Sequence, residues 1–145
     1  MAKSTRAGCG VSHSYFRERI YMTKTTIITG GTKGIGLAIA TRLADEGTHL
    51  ILGYLSDESA AAAAKETLEQ LGAKVTAVRS DLGEPGGVER LVESVSDDGP
   101  VNIVHNAAMI YATNLLSADM TILSKALDVN GMSLLRLVRA AMPVL

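Results

Sequence analysis

From Thr23 onward the chain alternates between two hydrophobic periods. Short apolar, largely β-branched runs at Thr25–Thr29, Thr48–Gly53, Ala73–Val78 and Val101–His105 read as strands. Between them lie stretches with helical spacing. The first, Gly34–Glu46, meets Gly47, a C-cap glycine. The second is capped by Ser56 or Asp57, runs through the alanine tract to about Leu71 and stops at Gly72. Alanine is the strongest helix former, so this tract reads as helix rather than low complexity. Gly83, Pro85, Gly86 and Gly87 then punctuate, and Val88–Ser96 makes a third helix. Gly99-Pro100 introduces the fourth strand, after which Ser117 or Asp119 caps one long helix from about Met120 to Leu145.

The order is β-α-β-α-β-α-β-α with short connections. Near-continuous apolar strands suit a parallel sheet covered on both faces. Right-handed crossovers then give an α/β, Rossmann-type doubly wound sheet with strands in the order 3-2-1-4. Ligands of such sheets bind beyond the carboxyl ends of the strands, where the strand order reverses. Here that point is the end of the first strand.

Composition narrows the class without changing this picture. A chain of 145 residues, 47% hydrophobic, holds one domain with a sizeable core. No apolar run reaches the length of a membrane span. A net charge of −1 makes no electrostatic case for nucleic acid or an anionic membrane. Cys9 is the only cysteine, so an intrachain disulfide is impossible and a reducing compartment, the cytoplasm, is expected. His13 lies in the tail and His49 in the second strand, so no metal-ligand cluster is expected. Residues 1–22 differ from the rest, with Lys3, Arg6, Arg17 and Arg19 against Glu18 and no apolar segment of a secretory signal. They read as a disordered basic tail before a domain of residues 23–145, with Met22 as an alternative natural start and an organellar transit peptide as another reading.

The chemistry gathers at four strand ends. Thr29-Gly30-Gly31-Thr32-Lys33-Gly34-Ile35-Gly36 joins the first strand to the first helix. Glycines admit a close ligand, and the unpaired N–H groups of the helix's first turn suit a pyrophosphate. This makes Gly30, Thr32, Lys33, Gly34, Ile35 and Gly36 candidate dinucleotide-binding positions; the plain alternative is an ordinary tight turn. After the second strand, Gly53-Tyr54-Leu55-Ser56 carries no acid before Asp57 to hold a ribose 2′-OH. With Lys33 nearby, unless it is merely a solvated loop lysine, this favours NADP over NAD, with Tyr54 beside the 2′-position. After the third strand, Asp81-Leu82 offers a carboxylate to an adenine amino group or to its own turn. After the fourth, His105-Asn106-Ala107-Ala108 presents small residues along which a cofactor can lie; Asn106 can tie strand ends together, and His105 reads as structural.

These motifs resemble the N-terminal half of the short-chain dehydrogenase/reductase family, similar in flavour to its NADP-dependent 3-oxoacyl-carrier-protein reductases. The TGxxxGxG pattern matches Thr29–Gly36, and the Asp after the third strand matches Asp81. The family's NNAG is met imperfectly, with His105 for the first Asn and Ala108 for the Gly. Its structural-catalytic Asn, in the middle of the long helix, matches Asn130. The resemblance implies hydride transfer between NADPH and a small-molecule carbonyl or alcohol, in a homo-oligomer.

It also implies a Ser beyond a fifth strand and a Tyr-x-x-x-Lys pair. Tyr15, Tyr21, Tyr54 and Tyr111 are followed four residues later by Arg19, Thr25, Glu58 and Leu115. The expectation is therefore a cofactor-binding half, truncated after the fourth strand and its helix, of marginal stability and prone to self-association. A non-catalytic NADP-binding module, acting as sensor or subunit, is the alternative, and an unproductive fragment a third.

Overall fold

The computed structural model describes residues 24–96 and 99–145. The basic tail of residues 1–22 lies outside the described residues, and with it Cys9 and His13. Four parallel strands, β1 (Lys24–Thr29), β2 (Thr48–Tyr54), β3 (Lys74–Arg79) and β4 (Val101–His105), form one sheet in the order β3-β2-β1-β4. Helices α1 (Gly34–Leu43), α2 (Glu58–Gln70) and α3 (Gly87–Glu93) make the three crossovers. After β4 come a short 3-10 turn at Leu115–Ser117, α4 (Met120–Leu127), a π turn at Asp128–Met132 and α5 (Ser133–Ala141). The architecture is thus the Rossmann-like α/β sheet expected from the alternation of periods.

Successive strand residues point to opposite faces, so β1 and β2 feed two cores. Ile28, Leu50 and Leu52 pack with Ala40 of α1 and Ala64 and Leu68 of α2 on one face. Ile27 and Ile51 pack with Val88 and Leu91 of α3 and Leu137 of α5 on the other. Ile27, Ile28, Leu50, Ile51, Leu52, Leu68, Leu91 and Leu137 are wholly buried. Each contributes roughly 1.5–3 kcal/mol of transfer free energy. The alanine tract is helical: Asp57 caps α2 by accepting from the Ala60 amide at 3.0 Å, and Ala61, Ala64 and Leu68 form its buried stripe.

The strands match the sequence expectation to within one residue, and three helix ends differ by three residues or more, each for a visible reason. Helix α1 ends at Leu43 rather than Glu46. Thr48 closes a turn on Asp45 through its amide, 3.2 Å from the Asp45 carbonyl, and through its hydroxyl on the Asp45 carboxylate. Gly47 then lies in the loop, with φ of 87°, where its carbonyl accepts from the Lys24 amide. Helix α3 spans Gly87–Glu93, and Val95 turns back onto the Val92 carbonyl. The long final helix is not one α-helix. Asp119 caps it as expected, but the π turn divides it and it stops at Ala141.

Candidate functional site

The carboxyl ends of all four strands open onto one cleft of about 620 Å³. That volume lies within the usual range of about 300–1,000 Å³ for small-molecule sites. From β1 it receives Thr29, Gly30, Thr32 and Lys33; from β2, Gly53, Tyr54, Leu55, Ser56 and Asp57; from β3, Ser80, Asp81 and Leu82. The segment after β4 adds Asn106, Ala107, Ala108 and Met109, and Lys125 and Val129 close the far wall. Nine positions singled out from sequence are therefore brought together: Gly30, Thr32, Lys33, Tyr54, Asp81, Leu82, Asn106, Ala107 and Ala108.

Gly34, Ile35, Gly36 and Asn130 are not among the lining residues. Ile35 points outward, 74% exposed. Gly34, with φ of 56°, has open space where a Cβ would be. Gly36 is needed for the chain's own packing: a Cβ there would lie 2.1 Å from the Gly30 carbonyl oxygen and 2.7 Å from Asn106 Nδ2. Helix α1 can therefore approach the strand turn only with glycine at this position.

Asn106 and Thr29 build the floor. Asn106 Nδ2 donates to the carbonyls of Thr29 (3.1 Å) and Gly30 (3.2 Å). The Thr29 hydroxyl oxygen accepts from the amides of Asn106 and Ala107, both at 3.0 Å. The glycine turn and the end of β4 are thereby fixed to one another, as Asn106 suggested. Thr29 was missed as a site residue; a hydroxyl on the last residue of a buried strand was the available signal.

At the cleft's mouth Lys33 Nζ lies 3.2 Å from Asp57 Oδ2. The Ala60 amide, and after it the Lys33 ammonium, hold the Asp57 carboxyl below its usual range. The acid that seemed too far along the chain to matter is thus in contact with the one cation of the glycine turn. Asp81 holds its own turn, one of the two uses expected of it. Its Oδ1 accepts from the Gly83 amide at 2.9 Å, an Asx-type turn, while Oδ2 faces Lys125 at 3.7 Å.

His105 sits behind the cleft and bonds Ser133 Oγ through Nε2 at 2.7 Å. The same Ser133 hydroxyl lies 2.6 Å from the Val129 carbonyl, which can only accept. Its single proton goes to Val129, so His105 donates from Nε2. Burial lowers the His105 pKa, which keeps the ring neutral, in keeping with a structural role. Asn130, in the π turn, grips the backbone of Met109 at both ends: Oδ1 accepts from its amide at 2.7 Å and Nδ2 donates to its carbonyl at 2.9 Å. Among the described residues no group of His, Cys, Asp or Glu could hold a metal ion, and no helix is long and apolar enough to cross a membrane.

Comparison with known proteins agrees with this architecture. The family model for short chain dehydrogenase matches residues 24–145. Short-chain dehydrogenase/reductase FrzI of Cladobotryum sp. is 36% identical over 113 residues, which are 75% of this chain and 43% of FrzI. The 3-oxoacyl-[acyl-carrier-protein] reductase FabG of Staphylococcus aureus is 32% identical over 96 residues, 66% of this chain and 39% of that protein. L-Sorbose reductase from Gluconobacter frateurii, solved with NADPH and L-sorbose, superposes with a TM-score of 0.74 at 31% identity, covering 84% of this chain and 47% of that one. The chain thus spans under half the length of these relatives. With the matching model, the strand order and the glycine turn in agreement, the chain belongs to the short-chain dehydrogenase family.

Proposed function

We propose that this chain is the cofactor-binding half of an NADP-dependent oxidoreductase acting on a small-molecule carbonyl or alcohol. The observation that carries this reading is the single cleft in which the glycine turn, Lys33, Asp81 and Asn106 meet. Gly30, with φ of 64°, keeps the turn bare where a pyrophosphate would pass. Lys33 and Tyr54 would flank the adenosine ribose and its 2′-phosphate, and Asp81 with Leu82 the adenine. Ala107 and Ala108 offer a flat wall to the remainder, and Gly34, Ile35 and Gly36 supply the first turn of α1. A bound nicotinamide would supply the hydride; these residues bind and orient it. The NADPH carried by L-sorbose reductase supports NADP over NAD here.

In this reading Asn130 acts through Met109, holding the backbone beside Ala108. A Tyr-x-x-x-Lys pair does not occur in the sequence, so proton transfer to substrate is assigned to no residue of this chain. That same observation favours a second reading, a non-catalytic NADP-binding module. Titration of the purified chain with NADPH, followed by nicotinamide fluorescence, tests both. Saturable binding is expected, and no binding at millimolar NADPH overturns both. Reading the DNA beyond codon 145 distinguishes the two: a frame that continues into a Ser and a Tyr-x-x-x-Lys pair supports the first, and an immediate stop supports the second.

A further inference from the structure

The π turn at Asp128–Met132 is held from two sides. On one side lies the Asn130 grip on Met109, in the segment after β4. On the other, Asp128 takes a two-pronged contact from Arg136 of α5: Nη1 to Oδ1 and Nη2 to Oδ2, each 2.8 Å. The second hydrogen of Nη2 goes to the Leu82 carbonyl, 2.9 Å away, in the segment after β3. Both hydrogens of one guanidinium nitrogen are therefore spent on two different elements. Forked geometry of this kind fixes orientation as well as distance, and a lysine cannot reproduce it. Arg136 itself does not line the cleft; it reaches the cleft only through Leu82 and through the turn that carries Asn130.

We infer that Arg136 is a positioning residue, fastening Asp128 to the Leu82 carbonyl so that the π turn becomes a two-point brace between the β3 and β4 sides of the cleft. The brace sets the separation of Leu82 and Met109, and so the width of the site in which a dinucleotide would lie. This role rests on the reading of the cleft as a nucleotide site. π turns within α-helices recur at functional sites, and here the turn is tied to both walls at once.

The test is amide hydrogen exchange on the chain as it stands, with NADPH titration beside it. In Arg136→Met, exchange at the Met109 amide should quicken about tenfold, although Arg136 does not touch it, while Ile27 and Ile28 in β1 keep their rates. Arg136→Lys, which keeps the charge but not the fork, should fall between. The affinity for NADPH should drop about fivefold in Arg136→Met, following the lost charge-assisted bonds. An unchanged Met109 rate, or an acceleration shared equally by Ile27 and Ile28, overturns the brace. Should Arg136→Met not fold, Asp128→Asn serves instead: about threefold faster exchange at Met109 supports the brace and an unchanged rate overturns it. Absence of NADPH binding by the unsubstituted chain would overturn the cofactor reading, while the exchange rates still decide whether Arg136 braces the turn.

Discussion

Lys33 and Asp57, 24 positions apart, meet at 3.2 Å where the first turns of α1 and α2 face the cleft. Asp57 also caps α2 through the Ala60 amide, so its carboxylate cannot easily swing away. A cofactor 2′-phosphate arriving at Lys33 would meet this negative charge as well. Asp57→Asn keeps a capping oxygen and removes the charge. The ratio of NADPH to NADH affinity should rise about fivefold, by relief of like-charge repulsion at the surface. Parallel titrations with the two nucleotides measure it, and an unchanged ratio would place the 2′-position elsewhere.

Gly36 and Gly34 should respond unequally to a single methyl group. At Gly36 the added Cβ would press on the Gly30 carbonyl at 2.1 Å, so Gly36→Ala should cost at least about 2–3 kcal/mol and distort the glycine turn. At Gly34 the space is open and only the left-handed backbone resists, at about 1–2 kcal/mol. Urea denaturation of the two variants would rank them, and equal costs would contradict the packing of α1 on Gly30.

Thr29→Val replaces a hydroxyl by a methyl of similar shape. It leaves the amides of Asn106 and Ala107, both half-buried, without their acceptor. A loss of about 2–4 kcal/mol is expected from the two unmet donors. Chemical denaturation of the variant gives the figure, and a neutral substitution would mean that water replaces the hydroxyl at no cost.

His105 makes stability depend on pH near neutrality. Burial lowers its folded-state pKa below the ordinary 6.5, so between the two values the unfolded chain binds more protons. Its contribution is complete above 6.5 and is lost as pH falls from there to the depressed value. The thermal midpoint should therefore fall on acidification through this window, and His105→Gln should flatten that slope. A slope identical in the variant would assign the effect to other groups.

Strand positions were legible because their signal is local. Thr48–Gly53 and Val101–His105 are apolar runs, and a buried parallel strand needs little else. The strand order followed from crossover handedness. The floor of the site was partly legible, since Asn106 declares an amide at a strand end. What stayed hidden depends on distance in space. Lys33 and Asp57 are neighbours only because β2 lies beside β1 and their helices start on the same side. Arg136 and Leu82 are separated by 54 positions. The π turn was hidden for another reason: Leu123, Leu127, Leu134 and Leu137 satisfy a helical period well enough that one surplus residue leaves no mark in the pattern.

That surplus residue gives the final helical stretch two phases. In an α-helix each residue advances the face by about 100°, so α4 and α5 are offset by one such step across the π turn. Positions before and after the turn therefore obey separate rules about insertion and deletion. Removing one residue between Asp128 and Met132 would restore an unbroken ladder, yet it would rotate Leu137 and Ala141, both wholly buried, away from the sheet. Among length changes in this stretch, the one that makes the helix most regular is the one the fold can least accommodate.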